Sequence, residues 1–168
     1  MKIAIIGYCG SGKSTLARFL GEKYHIPVLH FDRIHWLPNW VESSREEKRE
    51  ITKSFMDENS DWVIDGNYFA IERERRMEEA DKIMFLSFNR FSCYFRALKR
   101  YIKYRGRTRE DMGEGCPEKF DPEFMRWILF EGRSRKIKNR YKDITKMYAD
   151  KVIIIKNQRE LDDFIKRN

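Results

Sequence analysis

The chain opens with Ile3-Ala4-Ile5-Ile6-Gly7-Tyr8-Cys9-Gly10-Ser11-Gly12-Lys13-Ser14-Thr15-Leu16-Ala17-Arg18-Phe19-Leu20. The apolar run at 3–6 is short, β-branched and abruptly ended, as a buried parallel strand should be. Residues 7–14 form a complete G-x-x-x-x-G-K-S loop. Leu16, Phe19 and Leu20 then recur at helical spacing. Strand, glycine loop and helix in that order are the context in which the motif predicts phosphate binding. Glycine lets successive backbone N–H groups turn toward one anion. Lys13 can reach the β- and γ-phosphates, and the Ser14 hydroxyl is placed to ligate Mg²⁺. Gly7, Tyr8, Cys9, Gly10, Ser11, Gly12, Lys13, Ser14 and Thr15 are therefore expected to bind a nucleoside triphosphate, taken as ATP with Mg²⁺.

At 168 residues the chain suits one domain, residues 1–168, able to bury roughly 70% of its unfolded surface. The apolar fraction of 41% and charged fraction of 37% describe a globular protein with a charged exterior. No stretch reaches the roughly 20 apolar residues of a membrane span, so no membrane partner is expected. The N-terminus enters a strand with no basic segment and apolar signal region before it, which predicts a cytoplasmic location. Cys9, Cys93 and Cys116 form no C-x-x-C pair, which argues against a zinc site or a disulfide framework. Cys9 lies near a helix N-terminus that favours a thiolate, or is simply a small residue that fits the loop. The formal charge of +8 gathers in two segments. Residues 88–109 hold eight Arg and Lys and no acid, and 133–142 hold six more. Such segments clamp a polyphosphate as readily as they line a nucleic-acid surface.

Apolar runs recur at 3–6, 27–31, 62–64, 83–86 and 152–155, with helical patterns between them. This alternation predicts a parallel sheet wound on both faces, an α/β/α P-loop NTPase of nucleotide-kinase type with five parallel strands. Residues 43–58 predict a charged helix capped by Ser43 or Ser44. In 89–104, Phe91, Tyr94, Phe95, Leu98 and Ile102 are spaced by three or four and are expected to pack inward. Residues 104–121 are irregular, charged and glycine-containing, which suits a small mobile lid. Asp121-Pro122 should then start a helix, and Asn157 with Glu160 another.

Phosphoryl transfer needs in-line positioning, a metal, cations around the transferring group and an orienter for the attacking group. Two aspartates follow expected strands, where ligands gather in open α/β sheets. Asp65 is a metal-side carboxylate or a turn former beside Gly66. Asp32 either accepts a proton from an acceptor hydroxyl or caps a short helix at 33–36. Residues 32–60 form the acceptor side, and in it one of Trp36 and Trp40 should be buried while the other lines a cleft. Neither His30 nor His35 has an acidic or cysteine neighbour at metal-ligand spacing. Arg96 and Arg100 lie one turn apart and should point the same way, toward the irregular loop. Arg133 and Arg135 should open the second basic helix. A catalytic set of Lys13, Asp32, Arg96 and Arg133 follows, with Arg100 on the nucleotide and Ser14 and Asp65 on the metal.

The phosphate loop, Asp32-x-x-x-Trp36-x-Pro38-x-Trp40, Trp62-Val63-Ile64-Asp65-Gly66-Asn67-Tyr68, and Arg105-x-Arg107-x-Arg109-x-Asp111-Met112 with Gly115-Cys116-Pro117-Glu118-x-Phe120-Asp121 together resemble the FlaR-related proteins. These so-called DNA topology modulation proteins belong to the adenylate-kinase-like P-loop kinases. The resemblance runs from about residue 1 to residue 157. It implies a five-stranded parallel core, an acceptor region after the second strand, a lid, and Arg96 as the arginine that precedes the lid. Adenylate kinases follow Asp-Gly with Phe-Pro-Arg, whose arginine grips the acceptor phosphate. Here Asn67-Tyr68-Phe69 stands in its place, and Arg73 or Arg76 is left to substitute.

Two functions follow from the residues. One is a kinase moving the γ-phosphoryl group of ATP to a small acceptor such as a nucleotide or nucleoside, as a monomer or homodimer. The other is a nucleotide-gated regulator whose basic face binds DNA. A guanine switch is disfavoured, since no Asn-Lys-x-Asp sequence is present to read guanine.

Overall fold

The structure, a computed structural model, describes residues 1–167. The first strand, β1 (Lys2–Gly7), feeds the glycine loop and α1 (Lys13–Tyr24). There follow β2 (Val28–His30), α2 (Phe31–His35), β3 (Trp36–Leu37), β4 (Val41–Glu42), α3 (Arg45–Glu58), β5 (Trp62–Asp65) and α4 (Arg73–Glu79). The rest is β6 (Lys82–Leu86), α5 (Arg90–Tyr104), α6 (Pro122–Leu129), α7 (Arg135–Met147), β7 (Val152–Ile155) and α8 (Gln158–Arg167). The main sheet runs β2-β5-β1-β6-β7, and every pairing in it is parallel. The five expected strands are thus the five observed, with the first in the centre.

Strand alternation builds the two helical layers. Ile3 and Ile5 of β1 face one core with Leu16, Leu20, Ala97 and Leu161. Ala4 and Ile6 face the other, with Met56, Met77, Tyr141 and Ile144. Burying both faces of each strand explains why the strands read as continuous apolar runs.

Sequence signals place several helix ends. Ser44 caps α3 in a reciprocal box with Glu47, while Ser43 is buried and donates to the Ile34 carbonyl at 2.6 Å. Asp121 caps α6 through the Phe124 N–H at 2.8 Å, with Pro122 at the first helical position. Asn157 accepts from the Glu160 N–H at 3.0 Å at the start of α8. Among the described residues no helix is long and apolar enough to cross a membrane.

Three local expectations are corrected. The second strand ends at His30, and Phe31 already begins a five-residue helix, so Asp32 lies inside its first turn rather than capping it. The cap position falls to His30, which has no side-chain capping bond. Arg133 ends a 3₁₀ turn at Glu131–Arg133, and α7 starts at Arg135. Of the α5 stripe, Tyr94 packs against the first core and Leu98 is half-buried, but Phe91, Phe95 and Ile102 are 58–67% exposed, and Cys93 and Ala97 are the residues that face inward fully. The reason is proximity. A Cβ on Gly10 would come 2.5 Å from the Cys93 carbonyl oxygen, well inside van der Waals contact, so α5 lies against the phosphate loop and only small residues fit at its contact face.

Candidate active site

The phosphate loop connects the carboxyl end of β1 to the first turn of α1. Gly10 and Gly12 hold φ of +78° and +98°, in the left-handed region that L side chains resist. Gly12 stands at the helix cap, so the α1 N–H groups open toward the loop without a side chain covering them. Lys13 rests against the Tyr8 carbonyl at 3.2 Å. Burial pushes the Cys9 thiol up, with Lys13 opposing, so Cys9 is a protonated small residue rather than a thiolate.

Register sets Asp65 beside this loop. It pairs with Ile5 of β1 on one side and His30 of β2 on the other. Its Oδ2 lies 3.0 Å from His30 Nδ1, while Oδ1 is buried without a partner. The structure thus gives His30 an acidic neighbour that sequence spacing could not reveal. An orphaned buried carboxylate oxygen asks for a ligand. Ser14 and Asp65 suit Mg²⁺, which needs one or two protein ligands when phosphates and water supply the rest. Among the described residues no cluster of three or more His, Cys, Asp or Glu side chains is arranged to hold a metal by itself.

Asn67 is a residue beside the phosphate loop to which sequence reading assigned no role. Its amide accepts from the Gly7 N–H at 2.9 Å and donates to the Gly7 carbonyl at 2.6 Å. The side chain thereby adds one more rung to the β1–β5 ladder and ties the phosphate loop to the end of β5. Asn67→Ala strands two buried backbone groups, an expected loss of about 1–3 kcal/mol. Urea unfolding and ATP-analogue affinity should both fall. A variant with unchanged midpoint and affinity would show that the rung is dispensable.

Asp32 accepts a hydrogen bond from the Tyr68 hydroxyl at 2.7 Å. Burial first, and then the Asp32 carboxylate, raise the Tyr68 pKa far above neutrality, so Tyr68 remains a donor. Trp36 and Trp40 do not divide into one buried and one exposed. Both are half-buried, 5.3 Å apart edge-to-face, and both line the cavity. Of the two substitutes for the missing acceptor arginine, Arg76 is fully committed. It donates to the carbonyls of Ile71, Gly66 and Tyr68 and lies over the Phe31 ring at 4.5 Å. Burial, with the charge of Arg73 adding to it, lowers its pKa to about 9, which leaves it charged at neutral pH.

Arg96 and Arg100 of α5 diverge. Arg96 donates to the Gly10 carbonyl at 3.1 Å and to Gln158, gripping the loop from outside. Arg133 stacks on the Tyr8 ring at 3.8 Å and donates to the Phe88 carbonyl at 2.8 Å. Neither lines the cavity that holds Lys13, whereas Arg100 does. Arg100 pairs with Glu118 at 2.7 Å, and the far oxygen of Glu118 takes the Arg109 Nε at 2.6 Å. Arg109 also pairs with Asp111, whose other oxygen lies 3.7 Å from the Arg18 guanidinium of α1. Burial works to raise the Asp111 pKa, but Arg109 and Ser14 outweigh it and hold it below the ordinary value. The 105–121 segment is therefore tied to α5 through Glu118 and to α1 through Asp111. Glu118 and Asp111 entered the sequence analysis only inside the family-like segment, because linear spacing does not show that Glu118 meets Arg100 of α5 or that Asp111 meets Arg18 of α1.

These parts surround one cavity of about 580 Å³, lined by Lys13, Asp32, Asp65, Arg100 and Arg109 among others. It opens at the carboxyl ends of β1, β2 and β5, where ligands bind in open α/β sheets. Strand order, glycine loop and site position together define a P-loop NTPase of kinase-like α/β/α fold. No protein-family model matches the chain, and no curated protein matches its sequence. Among solved structures it is similar to shikimate kinase from Bacteroides thetaiotaomicron, with 18% identity, a TM-score of 0.49, and 99% of this chain and 95% of that one covered. It is also similar to deoxyadenosine kinase from M. mycoides, in a structure with the products dCMP and a flexible dCDP bound. There the identity is 14%, the TM-score 0.49, and the coverage 99% of this chain and 98% of that one.

Proposed function

We propose that this chain transfers the γ-phosphoryl group of ATP to the hydroxyl of a small acceptor. The observation that carries the reading is that Lys13, Asp32 and the half-satisfied Asp65 line one cavity. In this reading the loop amides and Lys13 hold the triphosphate, and Asp32, fixed by Tyr68, takes the acceptor proton. Ser14 and Asp65 would hold Mg²⁺, which neutralises charge on the β- and γ-phosphates. Arg100 and Arg109 line the cavity and are the cations placed for the transferring group. Arg96 and Arg133 then act by positioning the loop. Residues 104–121 serve as the lid, and the triphosphate takes over the donors that Glu118 and Asp111 now occupy. All four segments that resemble the FlaR-related proteins contribute lining residues, which supports a place in that group. The test is ADP release with Mg²⁺ and a broad panel of hydroxyl acceptors. Release that responds to no acceptor removes this reading.

One observation favours the DNA-binding alternative. Phe91, Phe95 and Ile102 stand exposed beside Lys99 and Lys103 on α5, an interleaving of apolar and basic side chains that suits stacking on bases. Binding to DNA should then weaken steeply with salt. Flat salt dependence, or no binding near 50 mM salt, removes it.

A further inference from the structure

We propose that the exposed face of α5 docks an amphipathic helix of a partner protein, one that carries carboxylates along a single flank. The inference stands apart from the phosphoryl-transfer reading, because none of the α5 residues it uses lines the cavity.

Phe91, Phe95, Leu98 and Ile102 follow one another at intervals of four, three and four. That spacing keeps side chains on one stripe of a helix and presents a seam that a second helix can meet. Cys93 and Ala97 turn the opposite side of α5 to the core. Phe91, Phe95 and Ile102 are accordingly exposed, and Leu98 is half-buried. Three such side chains offer on the order of 400 Å² of apolar surface, the size at which a patch marks an interaction site. The two edges of the stripe differ. On one edge Tyr94 and Tyr101 lean on the Phe120 ring, at 5.3 and 6.1 Å, just ahead of α6. On the other edge Lys99 and Lys103 stand one turn apart, both exposed. The Lys103 ammonium lies 5.1 Å from the Tyr104 ring, and neither lysine forms an ion pair among the described residues. No acid occurs anywhere in residues 88–109.

The apolar seam needs an apolar partner surface, and two unpaired lysines along one edge need carboxylates opposite them. A second copy of this chain fits poorly. Matching Phe91 with Ile102 and Phe95 with Leu98 across a two-fold axis sets Lys103 against Arg90, cation to cation. About 400 Å² per copy is also only half of the roughly 800 Å² that each partner gives to a standard interface. Nucleic acid would engage the lysines but only half of the seam, since Leu98 and Ile102 have no ring to stack on a base. A single helix with apolar anchors at the same spacing and acids on one flank engages every one of these groups.

The probe is a synthetic helix-forming peptide with leucine at the seam positions and glutamate along one flank, titrated into the full chain by fluorescence anisotropy. It should bind saturably, and about tenfold more tightly at low salt than the same peptide with lysine on that flank, the difference closing as salt is added. Phe95→Ser should weaken binding about tenfold or more at an unchanged unfolding midpoint, since the ring it removes is exposed. The double variant Lys99→Glu with Lys103→Glu should reverse the preference and favour the lysine peptide, a gain that misfolding cannot produce. No saturable binding of the glutamate peptide, or equal binding of the two charged peptides, overturns the proposal. Self-association in sedimentation that Phe95→Ser abolishes overturns it by giving the face to a second copy. Binding of single-stranded oligothymidine that Phe95→Ser abolishes and the glutamate peptide does not compete away overturns it in favour of nucleic acid.

Discussion

Lys13→Ala is expected to cut acceptor-dependent ADP release by about 10²–10³-fold, equivalent to roughly 2.7–4 kcal/mol of transition-state stabilisation. The charge of Lys13 is aimed at a group whose negative charge redistributes during transfer, so its value is concentrated in the transition state. In the resting structure its ammonium donates to the Tyr8 carbonyl and, among the described residues, to no other partner. Loss of the side chain therefore leaves few broken bonds, and the unfolding midpoint should stay within a degree or two of the parent. Activity loss accompanied by a large fall in midpoint would instead assign Lys13 a structural role. Single-turnover measurements separate the cases, since a folded variant that binds ATP but transfers slowly has lost chemistry rather than affinity.

Asp32→Asn is the second large effect, a fall in kcat on the order of 10²–10⁴-fold with the fold intact. Asparagine keeps an oxygen to accept the Tyr68 hydroxyl, so the 2.7 Å contact survives while the proton acceptor is lost. Tyr68→Phe is the informative companion. It removes the group that orients Asp32 but leaves the carboxylate, so its kcat should lie between those of the parent and Asp32→Asn. A carboxylate that served only to tie α2 to the turn at 68–72 would give the reverse order, with Tyr68→Phe at least as harmful. Parent-like kcat in Asp32→Asn would remove Asp32 from the chemistry.

These predictions draw on two kinds of information. The phosphate loop was legible because its chemistry is local. Strand, loop and helix are contiguous, and the glycines are needed where φ is positive. Asp65 was legible because a fully buried strand reads as an apolar run and its last residue falls at the ligand-bearing edge. The α5 stripe misled because periodicity shows that one face differs from the other, without saying which face meets the protein. Small Cys93 and Ala97 won that contact, since the phosphate loop allows no room for aromatic rings.

By itself the sequence determined the layered α/β architecture, the glycine loop between β1 and α1 and the place of Asp65 at the end of β5, all consequences of short-range pattern. Only the tertiary structure decided which cations face the cavity. Arg96 and Arg100 sit one turn apart, yet one grips the loop from behind and the other meets Glu118 across the lid. The same is true of the Asn67 rung. A side chain's partner is set by which distant segments the folded sheet brings together, and a linear spacing carries no record of that.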